Sequence, residues 1–130
     1  MKVHTSAIFE VKSWDENSFD EGAGLPKLTR AAVTKSYSGD IEGMSVTEWL
    51  MAYAEDGSAT FVGLERIVGT FSGREGSLVL QHVGSFAEGV ARGTLTVVHG
   101  SGTNDLVDVD GDGSFLANPT GSVNINLSFV

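Results

Sequence analysis

The chain has no cysteine, only two prolines, and eight lysines and arginines against seventeen aspartates and glutamates. Without cysteine there is neither a disulfide framework nor a thiol nucleophile. So little proline, beside seventeen glycines that follow no three-residue period, excludes a collagen-like or proline-rich chain and points to many turns and bulges. No apolar run reaches the 18 or so residues of a membrane-spanning helix. The formal charge of −9 comes with no basic stripe, so a phosphate backbone is repelled and nucleic acid is not an expected partner. The opening Met1-Lys2-Val3-His4-Thr5 lacks the apolar core of a secretory signal, which predicts a cytoplasmic protein with no membrane partner. At 130 residues the simplest organisation is one domain over 1–130.

What the chain does have is repetition. Gly69-Thr70-Phe71-Ser72-Gly73, followed by Gly76-Ser77-Leu78-Val79-Leu80, is echoed by Gly84-Ser85-Phe86-Ala87-Glu88-Gly89 and Gly93-Thr94-Leu95-Thr96-Val97. Each unit has the length of one strand plus one tight turn. Alternation with period 2 runs through the rest. Val3, Thr5, Ala7, Phe9 and Val11 share one face of the first segment, and Val123, Ile125, Leu127 and Phe129 alternate with Ser122, Asn124, Asn126 and Ser128 in the last. Between these, strands are expected near 28–38, 41–54, 58–71, 76–86, 89–99 and 107–116. Residues 15–27 read as an acidic loop, and 100–106 as an irregular connection with room for one helical turn. Eight strands joined in order predict an all-β, eight-stranded antiparallel up-and-down meander barrel, because closure removes the exposed edges.

Turn lengths predict which residues share a face. A two-residue turn at Asp56-Gly57 would set Glu48 opposite Glu65, and a four-residue loop from Ser72 to Glu75 would set Glu65 opposite His82. The same registers pair Ile67 with Leu80 and Phe61 with Phe86, and a turn at Ala87-Glu88 continues the face to Leu95. Glu48, Glu65 and His82 would then form a row across three strands, on a face with Leu50, Ile67, Leu78 and Leu80. A loop wrong by two residues slides these pairs and keeps the face; a loop wrong by one breaks the row. The opposite face carries Trp49, Met51, Tyr53, Val62, Leu64 and Arg66 and is not plainly polar. One solution covers the inner face by closure and the outer face by another subunit, which predicts a homo-oligomer, a dimer first.

With these residues laid out, the chain resembles a known bacterial family. The resemblance is carried by Phe9-Glu10-Val11-Lys12-Ser13-Trp14-Asp15-Glu16, Leu28-Thr29-Arg30-Ala31, Tyr37-Ser38-Gly39-Asp40-Ile41-Glu42-Gly43, Glu48-Trp49-Leu50-Met51-Ala52-Tyr53, Gly63-Leu64-Glu65-Arg66, Leu80-Gln81-His82 and Gly93-Thr94-Leu95-Thr96-Val97. The family is a domain of unknown function grouped by fold with the allene oxide cyclase barrels. The resemblance implies a calycin-like barrel and no settled activity. Allene oxide cyclases are cofactor-free isomerases that fold a hydrophobic substrate inside the barrel; none of their catalytic residues aligns with a position here.

Two carboxylates close together in an apolar lumen cannot both ionise easily, so one should titrate high, and a raised acid beside a histidine suits proton transfer near neutral pH. Glu65, His82 and Glu48 are thus the candidate catalytic residues, with Tyr53, Trp49 and Leu80 as candidate ligand contacts. The alternative is a structural network in which Arg30, Lys35, Arg66 or Arg92 neutralises the acids. Asp108-Val109-Asp110-Gly111-Asp112-Gly113 opens like a calcium loop, but its twelfth position is Pro119 instead of a glutamate, and an acidic strand entering a turn explains it. No metal site and no cofactor are predicted. The expected function is binding of a small apolar molecule, extending to a cofactor-free isomerase or cyclase; the competing expectation is a structural or interaction barrel with no ligand.

Overall fold

The structure is a computed structural model and describes residues 1–118 and 120–129; Pro119, the last position of the calcium-loop frame, lies outside them. Eight strands follow one another: β1 (Lys2–Gly22), β2 (Leu25–Gly39), β3 (Ile41–Tyr53), β4 (Ala59–Phe71), β5 (Arg74–Ala87), β6 (Val90–Val97), β7 (Asp110–Ala117) and β8 (Gly121–Ser128). Each pairs antiparallel with the next, and β8 returns to β1 to close the barrel in chain order. Among the described residues no helix is long and apolar enough to cross a membrane.

The alternation read from the sequence becomes the inside and outside of this barrel. Val123, Ile125 and Leu127 are buried, as are Ala7 and Thr5 opposite the first two and Phe9 opposite Gly121. Val11 departs from the pattern and is exposed; it lies beyond Phe9, the last residue of β1 that pairs with β8, just before the pairing with β2 shifts. The acidic stretch expected as a loop is instead strand. β1 continues to Gly22 and turns tightly into Leu25, so β1 and β2 extend as a ribbon beyond the pairing with β8. Its alternation was masked because this part of β1 has no β8 neighbour, is mostly exposed and carries polar residues on both faces.

Three turns differ from those expected in length or position, and the parity of the resulting register shift decides the consequence. Ser72-Gly73 makes a two-residue turn with Phe71 opposite Arg74, and Glu88-Gly89 does the same between Ala87 and Val90. All four turn residues have φ between 50° and 85°, the left-handed geometry of a hairpin matched to strand twist. Both corrections slide the pairing by two residues: Ile67 faces Leu78 and Phe61 faces Gly84, and the inner face is kept. The third differs by an odd number. Asp56 Oδ1 accepts hydrogen bonds from the backbone N–H and the hydroxyl of Ser58, and the connection widens to Ala54–Ser58, with Tyr53 opposite Ala59. Trp49 and Met51 therefore turn inward, while Glu48 and Leu50 turn out.

After β6 the chain runs on beside β5, with Val98 N–H donating to Val79 O and Thr103 N–H to Ser77 O, and then makes one 3-10 turn at Asn104–Leu106. This turn places Leu106 in the core with no exposed surface, and Val109 follows it in. Leu106→Ala should lower stability by about 2–5 kcal/mol, the cost of truncating a fully buried leucine, read as a fall in the urea midpoint with the slope unchanged.

Candidate functional site

The lumen holds a polar centre built from four neighbouring strands. Lys35 and Tyr37 come from β2, Ser45, Thr47 and Trp49 from β3, Glu65 from β4 and His82 from β5; all are at least nine-tenths buried. Glu65 is the hub. Its Oε2 accepts hydrogen bonds from the Tyr37 hydroxyl at 2.7 Å and the Ser45 hydroxyl at 2.6 Å, and lies 3.5 Å from Lys35 Nζ. Its Oε1 accepts from His82 Nε2 at 2.9 Å. The two side chains meet diagonally, because Glu65 pairs directly with Leu80, and His82 with Gly63.

The tautomer of His82 follows from its other neighbour. An indole N–H only donates, so Trp49 Nε1, 3.1 Å from His82 Nδ1, requires an unprotonated Nδ1. The ring is then neutral, with its proton on Nε2 toward Glu65. Gly63 makes the Trp49–His82 contact possible, because a Cβ there would lie 2.5 Å from the indole ring and 2.1 Å from the Glu48 carbonyl oxygen. Around this centre lies an aromatic wall. Lys35 Nζ sits 4.5 Å from the Phe9 ring centroid, 5.2 Å from that of Trp49 and 5.7 Å from that of Phe115, all within cation–π range.

Electrostatics run opposite to the expectation of a raised carboxylic acid. Burial pushes Glu65 up, but the Lys35 charge and the hydrogen bonds from His82 and Ser45 prevail and hold it at about 2. The second carboxylate needed to raise it is elsewhere: Glu48 lies on the outer surface, 3.6 Å from Arg30 Nε. Burial lowers Lys35 against the opposing pull of Glu65, and lowers His82 below its ordinary value. Burial and the Glu65 charge raise Tyr37 well above the usual phenol range. The resting centre is therefore an ammonium–carboxylate pair flanked by a neutral histidine and a neutral tyrosine.

Of the residues singled out in the sequence, the structure brings Glu65, His82, Trp49 and Leu80 into the lumen and leaves Glu48 outside. Tyr53 stands apart at the end of β3, where its hydroxyl donates to Glu16 Oε2 and burial with that carboxylate raises it to about 12. Asp110 only caps its own strand start by accepting from Gly111 N–H, and among the described residues no group of three acids or histidines is placed to hold a metal ion. Sequence reasoning missed Ser45 and Thr47 and gave Lys35 only as one of four neutralising bases. Their signal was present: Ala31, Val33, Lys35 and Tyr37 alternate in phase, so a core face already contained the lysine.

A two-stage acid response follows. His82 stays neutral in the folded chain at a pH where the unfolded chain takes up a proton, so stability falls as pH drops through about 6.5. Glu65, lowered from 4.5 to about 2, adds stability that is complete above 4.5 and lost between those values. That second loss is on the order of 3 kcal/mol. Urea midpoints measured against pH should show both stages, and His82→Gln should remove the first and leave the second.

The family model described as "Protein of unknown function (DUF3224)" matches residues 5–129. No curated protein matches the chain. The crystal structure of a DUF3224-family protein with unknown function from Shewanella oneidensis MR-1 superimposes with a TM-score of 0.84 at 32% sequence identity, covering 100% of this chain and 99% of that one. A match along nearly the whole length, with the same closed all-β architecture, places this chain in the DUF3224 family.

Proposed function

We propose that this barrel binds a small, largely apolar molecule bearing an anionic or carbonyl end, with Lys35 as the group that recognises that end. The observation that carries the proposal is the unspent donor capacity of a buried ammonium. Lys35 has three N–H donors, and its carboxylate neighbour is 3.5 Å away, longer than the roughly 2.7–2.9 Å of a charge-assisted hydrogen bond. Thr47, whose Cα pairs across the sheet with that of Glu65, has a buried hydroxyl without a partner among the described residues. A closed structural network would leave neither group short.

A route for the ligand is suggested at the rim. A cavity of about 440 Å³ opens where β1 leaves β8, lined by Phe9, Tyr37, Ala117 and Gly121 among others. Phe9 and Tyr37 are also the residues that touch the polar centre, through the Lys35 ammonium and Glu65 Oε2. Rotation of the Phe9 ring would join the cavity to Lys35.

Proton-transfer chemistry is a weaker reading of the same residues. A carboxylate held at about 2 is a poor base, and His82 is already committed on both nitrogens. Lys35, Glu65 and His82 line none of the described surface cavities, so in either reading Phe9 must move before a ligand reaches them.

The test compares 1-naphthoate with 1-naphthalenemethanol, which share an apolar body and differ in charge, by titration calorimetry on the folded chain. One naphthoate should bind per chain, about tenfold or more tighter than the alcohol, the worth of one charged hydrogen bond. Lys35→Met should abolish that preference, and Phe9→Ala should speed binding. Absence of binding to either compound, or a preference that survives Lys35→Met in a variant with native circular dichroism, would overturn the proposal.

A further inference from the structure

The outer faces of β3 and β4 carry an apolar surface that the lumen does not explain. Met44, Val46 and Leu50 on β3 and Val62, Leu64 and Val68 on β4 are all exposed, between 47% and 60%. A contiguous patch of that kind on a water-facing sheet marks a contact surface. At its middle, Val46 pairs with Arg66 and Glu48 with Leu64. These four outward residues form a parallelogram with the two aliphatic side chains on one diagonal and the two opposite charges on the other. Strands lie about 4.8 Å apart and same-face residues about 6.8 Å apart along a strand, so the diagonals cross steeply.

We infer that two copies of this chain pack through this surface, about a two-fold axis that runs along the Val46–Leu64 diagonal. Rotation about that axis sets each valine and each leucine on its own counterpart. The same rotation exchanges the ends of the other diagonal, so Glu48 of each copy meets Arg66 of its partner. The interface is isologous, as a closed dimer requires, and its sheets cross steeply, in the manner of orthogonal sheet packing. The charges fit this arrangement. Arg66 has no carboxylate within 4.0 Å among the described residues, and Glu48 has only the exposed 3.6 Å contact with Arg30, which it can exchange. A hollow of about 480 Å³ lies within the surface toward β1, lined by Val46, Glu48, Leu64 and Arg66 with Asp15 and Thr34 among others, which gives a partner's aliphatic side chains somewhere to seat. A partner of different sequence would not need the acid and the base to exchange under one rotation; a second copy does.

Charge reversal tests this, because the interface predicts rescue. Sedimentation equilibrium from submicromolar to high micromolar concentration should show a monomer–dimer equilibrium for the unaltered chain. Glu48→Arg and Arg66→Glu should each weaken the dimer by at least about tenfold, since each sets like charges together twice. The double variant Glu48→Arg/Arg66→Glu should recover most of the original affinity, which a merely structural role for either residue would not produce. A monomer throughout the range, or a dimer indifferent to both reversals, would overturn the inference.

Discussion

The ion pair between Lys35 and Glu65 is the interaction on which the interior depends. An ammonium and a carboxylate, each exposing 1% of its side chain, are stable in a lumen of leucine, isoleucine and aromatic rings only if every neighbour accommodates them. The neighbours do so in kind. Tyr37, Ser45 and His82 aim donors at Glu65, the faces of Phe9, Trp49 and Phe115 surround the lysine, and Trp49 fixes the histidine tautomer that leaves Nε2–H free to donate. Removing one partner would strand the other in low dielectric, whereas replacing both with aliphatic residues would leave a simpler core.

How much of this was legible in the sequence divides along physical lines. The strands and their order were, because Val123-Asn124-Ile125-Asn126-Leu127 can bury one face only as a strand, and the hairpin repeats leave a meander as the simple connection. Glu65 and His82 were placed on one face correctly despite a wrong loop between β4 and β5, because the error slid the pairing by two residues and the side-chain period is 2. Glu48 was misplaced by a single odd error. The turn at Asp56-Gly57 looks like a two-residue hairpin, but Asp56 Oδ1 accepts from Ser58, Gly57 N–H donates to Ala54 O and Ala54 N–H to Ser58 O, so Ala54–Ser58 separate the strands. That competition between a side-chain turn and a backbone turn is decided by local geometry that composition does not carry. The same error set Trp49 on the face opposite Glu65 and His82, whereas it shares their face and is half of the lock on His82.

The two faces of β3 and β4 thus do different work from one alternating pattern. Ser45, Thr47 and Trp49 serve the polar centre, while Val46 and Glu48, one residue out of phase with them, form the surface assigned to self-association.

The most direct measurement of the central claim is the protonation state of His82 by long-range nitrogen–proton NMR of the imidazole ring. A neutral ring with its proton on Nε2, unchanged from pH 8 down through its ordinary 6.5, is what the Trp49–His82–Glu65 chain predicts. An imidazolium near neutral pH, or a proton on Nδ1, would mean that Trp49 does not donate to His82 and that the polar centre is assembled differently.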